Sequence, residues 1–314
     1  MAKNRSAVNK GVFCASVCSN KRIGGRFYQL GLEFCGSGAA AFAKVSPGQF
    51  AELDLADTAL PPAEEIAEDL ADAAGRKILL RRPFSFCDVE SKGDKTFVDI
   101  LYCVVGPASL RMTTLSAGDS VGVIGPLGNG FSMPEGKKMA LLVAGGMGAG
   151  PLLHFAKVLT EDFFNIEAIA FVGAQTVKEL PFEGKLDEVS QKLGFSLAEF
   201  AKHGVKSLVA TDDGSAGFAG LVTDCLSEWL GRYSRPVRDM IIYACGPEAM
   251  LSRAAEIAKD KKIDCQVSME RRMACGIGIC QSCAVECRLP DSNETVYKLC
   301  CEDGPVFDAK EVVF

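Results

Sequence analysis

Six of the chain's 14 cysteines, Cys275, Cys280, Cys283, Cys287, Cys300 and Cys301, fall in its last 40 residues. Three of them stand in Cys275-Gly276-Ile277-Gly278-Ile279-Cys280-Gln281-Ser282-Cys283, a C-x4-C-x2-C spacing, with a cysteine pair following in Leu299-Cys300-Cys301. That spacing is one that holds a [2Fe–2S] cluster. Two irons need four thiolates, and one tight loop can deliver three. Gly276 and Gly278 let the backbone curl so that N–H groups point at sulfur. Structural zinc sites usually pair two C-x2-C knuckles, and only one clean knuckle is present. The cluster is therefore favoured over zinc or uncoordinated thiols. Spacing leaves Cys300 and Cys301 equivalent as the fourth ligand. Cys287 is also available, but it sits one turn from Cys283 and is crowded.

Composition narrows the function classes. The 314 residues carry 34 Lys plus Arg against 40 Asp plus Glu, a formal charge of −6, so no bulk basic footprint exists for nucleic acid or an anionic membrane. Hydrophobic residues at 48% describe an ordinary globular chain. Only 2 histidines are present, which argues against a His-based metal site or His acid–base chemistry. Met1 to Arg5 lack an apolar signal core, and the charge-free run Met139 to Leu153 is short and broken by glycines and Pro151. The expectation is a soluble, cytoplasmic chain, where clustered cysteines mean metal or redox chemistry and scattered ones are small buried hydrophobes.

Three regions separate along the sequence. Residues 1–135 read as short strands with Gly and Pro punctuation, including Arg26 to Phe34 and Thr96 to Val105, and suggest an antiparallel β-barrel. Asp57 to Lys77 differs. It is Ala-rich, carries six acidic residues and no base before Arg76, and reads as one acidic surface helix, either a solvated insertion or a partner-docking element. Residues 136–266 alternate strands (Met139–Val143, Ala168–Val172, Ser207–Ala210, Met240–Ala244) with helices (Pro151–Leu159, Leu221–Leu230), the βαβ pattern of a parallel, Rossmann-like α/β domain. Residues 267–314 are the short, Cys-dense segment. His154, His203 and Trp229 are expected to be structural or solvated.

Two strand-to-helix turns look built for a nucleotide. Leu141 to Leu152 runs through Gly145, Gly146 and Gly148, glycines that let a backbone approach a pyrophosphate at a helix start. Ile242 to Met250 carries Cys245-Gly246-Pro247 at a second strand end. No Arg follows Gly173-Ala174-Gln175-Thr176 to clamp a 2′-phosphate, which favours NAD over NADP. In the barrel region, Arg82-Pro83-Phe84-Ser85 and Gly106-Pro107-Ala108-Ser109 offer an arginine and hydroxyls suited to a diphosphate.

Taken in order, Arg82-Pro83-Phe84-Ser85, Gly125-Pro126-Leu127-Gly128-Asn129-Gly130-Phe131, the Ala144 to Pro151 turn and Ala244-Cys245-Gly246-Pro247 resemble the ferredoxin–NADP reductase superfamily. The tail from Ser268 to Cys280, followed by Cys301-Glu302-Asp303-Gly304-Pro305-Val306-Phe307, resembles one branch: the electron-transfer subunits of NAD-linked dihydroorotate dehydrogenases. The resemblance implies an FAD-binding barrel, an NAD-binding α/β domain and a C-terminal [2Fe–2S] segment. It implies cluster ligands Cys275, Cys280, Cys283 and Cys301, the last because the family's fourth cysteine directly precedes E-D-G-P-V-F. It places flavin contacts on Arg82, Pro83, Phe84 and Ser85, on Leu101, Tyr102 and Cys103, and on Ala108 and Ser109, which stand where Gly-Thr is usual. It sets Cys245 beside the nicotinamide. It further implies an FMN-containing catalytic subunit as partner, in a heterotetramer serving pyrimidine biosynthesis. A reductase subunit of the same build serving another oxidoreductase would share every one of these motifs and differ only in its partner.

Overall fold

The computed structural model describes residues 10–163, 165–182, 184–186, 195–233, 236–289, 292 and 294–314. Its first unit is a seven-stranded antiparallel sheet. In chain order the strands are β1 (Gly11–Gly24), β2 (Phe27–Cys35), β3 (Phe50–Asp54), β4 (Arg82–Ser85), β5 (Asp88–Lys92), β6 (Lys95–Cys103) and β7 (Ser120–Leu127), and their spatial order is β4-β3-β7-β1-β2-β6-β5. Alternation drives the fold. In β6 the burial pattern alternates from Lys95 to Ile100, with Thr96, Val98 and Ile100 turned in and their neighbours turned out. The inward residues share one core with Leu30, Leu32, Leu53, Val121 and Val123, closed at one end by Phe34 stacked on Phe42 at 3.9 Å between centroids.

The acidic segment is not one helix. Pro61 and Pro62 deny the backbone its early donors, and only short 3-10 turns at Ala63–Glu65 and Glu68–Leu70 and a helix at Ala71–Gly75 form. The chain is also pinned by burial: Leu70 and Ile78 join the barrel core. Asp69 pairs with Arg26 at 2.7 Å, beside the β1–β2 turn. The segment is strapped to the barrel rather than floating on it.

The second unit is built on β8 (Met139–Gly145), β9 (Glu167–Ala174), β12 (Lys206–Thr211), β13 (Phe218–Ala219), β14 (Met240–Cys245) and β15 (Asp264–Ser268), with a small β10 (Gly184–Leu186) and β11 (Phe195–Leu197) hairpin beside it. The sheet order is β13-β12-β9-β8-β14-β15, and every pairing in it is parallel. Strands β8 and β14 are apolar along nearly their whole length, as strands covered on both faces must be. From β8 the chain winds outward through β9 and β12. It then returns to the other side of β8 with β14. The gap between the carboxyl ends of β8 and β14 is therefore the switch point where such sheets take ligands. The helix Ala149–Asp162 leaves β8 there, and Glu248–Lys261 leaves β14.

The tail is not a detached appendage. A hairpin, β16 (Ala284–Arg288) with β17 (Thr295–Leu299), follows the cysteine loop, and the chain then returns so that β18 (Val306–Asp308) pairs antiparallel with β15 as the edge of the nucleotide sheet. Cys283, Cys287, Cys300 and Cys301 consequently share a core with β8 and β14 residues. Among the described residues, no helix is long and apolar enough to cross a membrane.

Candidate redox site

The cysteine loop is shaped by residues that tolerate left-handed backbone. Gly276 and Gly278 have φ of 67° and 84°. A Cβ at Gly278 would meet the movable end of the Glu302 side chain, so it is the left-handed backbone that favours glycine there. The curl aims amides at sulfur: Gly278 N–H donates to Cys301 Sγ at 3.2 Å and Cys280 N–H to Cys275 Sγ at 3.4 Å. Cys283 and Cys301 place their sulfurs 3.3 Å apart. Ser282 Oγ lies 3.1 Å from Cys280 Sγ, and its hydroxyl and amide hold that thiol down to about 6. Burial, then the neighbouring Cys283, pushes Cys301 up to about 12, a cost that a bound cation would remove.

The neighbours in the pair diverge. Cys300 Sγ turns the other way and donates to Met269 O at 3.2 Å, within the core. Cys287 lies in β16 opposite Val296, also buried. Sulfur atoms of Cys283 and Cys301 are in contact, and those of Cys275 and Cys280 are tied into the same loop. This donor set of soft thiols with amides directed at them fits an iron–sulfur cluster.

The turn after Cys301 is held by the barrel. Asn129 Nδ2 donates to Glu302 O at 2.8 Å and to Asp303 O at 3.0 Å, and Asn129 N–H donates to Gly304 O at 2.6 Å. The Gly-Asn-Gly stretch noted in the sequence therefore docks the turn that follows Cys301, a role spacing alone did not reveal.

Two cavities meet between the units. One, of about 780 Å³, is lined on the barrel side by Arg82, Pro83, Phe84, Ala108 and Ser109, and on the other by Glu248 and Glu270 to Met273. The second, of about 860 Å³, is lined by Gly145, Gly146, Gly173, Asp212, Pro247 and Arg253 among others. Cys103 and Val105 border both. Ser85 lies in β4 beside the first cavity but is not on its wall. Leu101 and Tyr102 are buried, and the Tyr102 hydroxyl donates to Asn20 Oδ1 at 3.0 Å, so of that trio only Cys103 reaches a cavity. The Ser109 hydroxyl accepts from Val105 and Gly106 N–H at 3.0 and 3.2 Å and so shapes its own turn.

In the second cavity the two strand-end loops pass in close contact. A Cβ at Gly246 would come within 2.9 Å of Gly145 N, and one at Gly148 within 2.0 Å of Cys245 O. Cys245 closes β14 opposite Ser268 of β15, whose hydrogen bond opposes the burial that pushes the thiol up to about 12. The C-terminal wall of the first cavity, Glu248 with Glu270 to Met273, was not singled out by spacing or composition as cavity-forming.

The tail from residue 270 to 313 matches the family described as the iron-sulfur cluster binding domain of dihydroorotate dehydrogenase B, and residues 142–256 match the oxidoreductase NAD-binding domain. The chain is 35% identical over 300 residues to the dihydroorotate dehydrogenase B (NAD(+)) electron transfer subunit of Caldanaerobacter subterraneus, covering 96% of this chain and 98% of that one. It belongs to that family of electron transfer subunits. A second member of the family, from Bacillus caldolyticus, is 36% identical over 301 residues, covering 95% and 97% of the two chains. Among solved structures, a NADH-dependent reduced ferredoxin-NADP oxidoreductase superposes with a TM-score of 0.70 at 24% identity, covering 95% of this chain and 89% of its own. The FAD/NAD binding domain of Vibrio cholerae nitric oxide dioxygenase gives 0.56 at 17% identity, covering 81% and 98%. Both show that this chain shares the ferredoxin reductase-like fold of those structures.

Proposed function

We propose that this chain passes electrons between a partner dehydrogenase and NAD⁺, as the electron-transfer subunit of a dihydroorotate dehydrogenase. The observation that carries the reading is the meeting of three sites in one place: the cysteine loop, the cavity at Arg82 and the cavity at Gly145. The cluster ligands are Cys275, Cys280, Cys283 and Cys301. FAD occupies the cavity between Arg82 and Arg271, and NAD the cavity at the β8–β14 switch point. Bound together, FAD and a [2Fe–2S] cluster supply exchange between hydride transfer and single-electron transfer.

The chain's own residues position these groups. Gly145, Gly146 and Pro247 shape a close-packed floor for the nicotinamide nucleotide, and Cys245 with Ser268 sets the polarity beside it. Val105, 73% exposed, stands on the shared border of the two cavities. Ile277 and Ile279 are 44% and 75% exposed on the cluster loop, and Cys280 is also exposed. That apolar rim beside a thiolate suits a protein partner delivering electrons there. In this reading the partner is an FMN-containing catalytic subunit, in a cytoplasmic heterotetramer; the relatives' name, electron transfer subunit, supports a separate catalytic partner.

Anaerobic purification of the chain co-expressed with its native catalytic subunit tests the reading. Dihydroorotate-dependent reduction of NAD⁺ is expected from the complex and from neither subunit alone. A complex that forms but cannot reduce NAD⁺ from dihydroorotate would reject it, and co-purification of a different flavoenzyme would reassign the partner.

A further inference from the structure

The cavity at Arg82 has a second charged wall, built from the segment that leads into the cysteine loop. Five charged side chains line the whole cavity: Arg82, Glu248, Glu270, Arg271 and Arg272. Arg271 is already committed, donating to both carboxylate oxygens of Glu248 at 2.8 and 3.4 Å. Glu270 acts on Cys245, whose thiol its charge raises, at the nicotinamide end. Among the described residues, Arg82 donates only to the carbonyls of Leu80 and Arg81. Arg272 has no side-chain hydrogen bond or ion pair among the described residues. Neither Arg82 nor Arg272 forms a side-chain ion pair among the described residues, although the Glu52 carboxylate lies within electrostatic reach of Arg82, and the two arginines line opposite walls of one cavity.

A dinucleotide diphosphate carries two negative charges and presents oxygens that a planar guanidinium recognises in pairs. The backbone of Arg272 is also tied to the cluster loop. Its carbonyl accepts from Ser282 Oγ at 3.5 Å, the same oxygen that lies 3.1 Å from Cys280 Sγ. We infer that Arg272 is a second diphosphate ligand for FAD, supplied by the cluster segment, so that one residue anchors both the flavin nucleotide and the cysteine loop. The inference rests on the reading that this cavity holds FAD.

Equilibrium titration of deflavinated, cluster-loaded chain with FAD and with riboflavin, which lacks the diphosphate, tests it. Arg272→Met is expected to weaken FAD binding about tenfold to a hundredfold, the size of a lost hydrogen bond to a charged group, while changing riboflavin binding by less than about threefold. Arg272→Lys, keeping the charge without the fork, is expected to fall between. The salt dependence of FAD binding is expected to flatten in Arg272→Met. Equal losses for FAD and riboflavin would mean general damage to the wall and overturn the inference, as would unchanged FAD affinity. Arg82→Met separates the two levels. If it weakens FAD and Arg272→Met does not, only the role of Arg272 falls. If neither changes FAD affinity, the assignment of the cavity to FAD falls with it.

Discussion

Glu52 lies against Gly276: a Cβ at Gly276 would come within 2.6 Å of Glu52 Cγ, across the junction between barrel strand β3 and the cysteine loop. Glu52 is 1% exposed, neither carboxylate oxygen has a hydrogen-bond partner among the described residues, and burial pushes the group up to about 7 against the pull of Arg82 and Arg81. Gly276 also has φ of 67°. Gly276→Ala is therefore expected to cost about 1–2 kcal/mol from backbone conformation alone, with the clash added. A double-mutant cycle by chemical denaturation separates the two. Adding Glu52→Ala is expected to relieve the clash component and leave the conformational one. Strict additivity would show that the two residues do not press on each other.

Cys300 and Cys301 are adjacent in sequence yet turned to opposite environments. Cys301→Ser is expected to remove most of the cluster's visible absorbance and iron, because its sulfur sits with Cys283 and the Gly278 amide. Cys300→Ser is expected to keep iron near the unaltered level, since the hydroxyl can still donate to Met269 O. Equal iron loss in both variants would show that the pair is not divided in this way.

Asn129 is the barrel's hold on the turn after Cys301. Asn129→Ala removes two hydrogen bonds to the Glu302 and Asp303 carbonyls, a loss of about 1–3 kcal/mol if those acceptors are left dry. Faster loss of cluster absorbance under air is the expected companion effect. An unchanged decay rate would place the stability of the turn elsewhere.

His154 adds a pH dependence. It is 3% exposed, its Nδ1 has no partner among the described residues, and burial pulls it from its ordinary 6.5 down to about 4, with Asp88 opposing and Lys157 reinforcing. As pH falls through 6.5 the unfolded chain takes up the proton while the folded chain still refuses it. The contribution is thus intact above 6.5 and is lost progressively towards about 4. Linkage gives a loss of about 1 kcal/mol between roughly pH 7.5 and 5.5. Urea denaturation at both values is expected to show this difference for the unaltered chain and a smaller one for His154→Met. Identical slopes would remove His154 as the source.

Much of this was legible in the residues because local chemistry and global fold agree. The C-x4-C-x2-C spacing with its glycines, the apolar β8 and β14 strands, and the glycine turns all announce their roles within a few positions. The acidic stretch misled because helix propensity was read without the cost of Pro61 and Pro62 or the tertiary pull on Leu70 and Asp69. The second wall of the Arg82 cavity was hidden for a different reason. Glu248 and Arg271 are 23 residues apart, and only the parallel pairing of β14 with β15 brings them together. The choice between Cys300 and Cys301 likewise depends on which side of one peptide faces the loop, which spacing does not encode.

The central claim is that four thiolates at the end of this chain hold two irons beside a flavin. Anaerobically purified chain should be assayed for iron, acid-labile sulfide and FAD together. About two irons, two sulfides and one FAD per chain are expected. Zinc in place of iron, or flavin without sulfide, would contradict the claim.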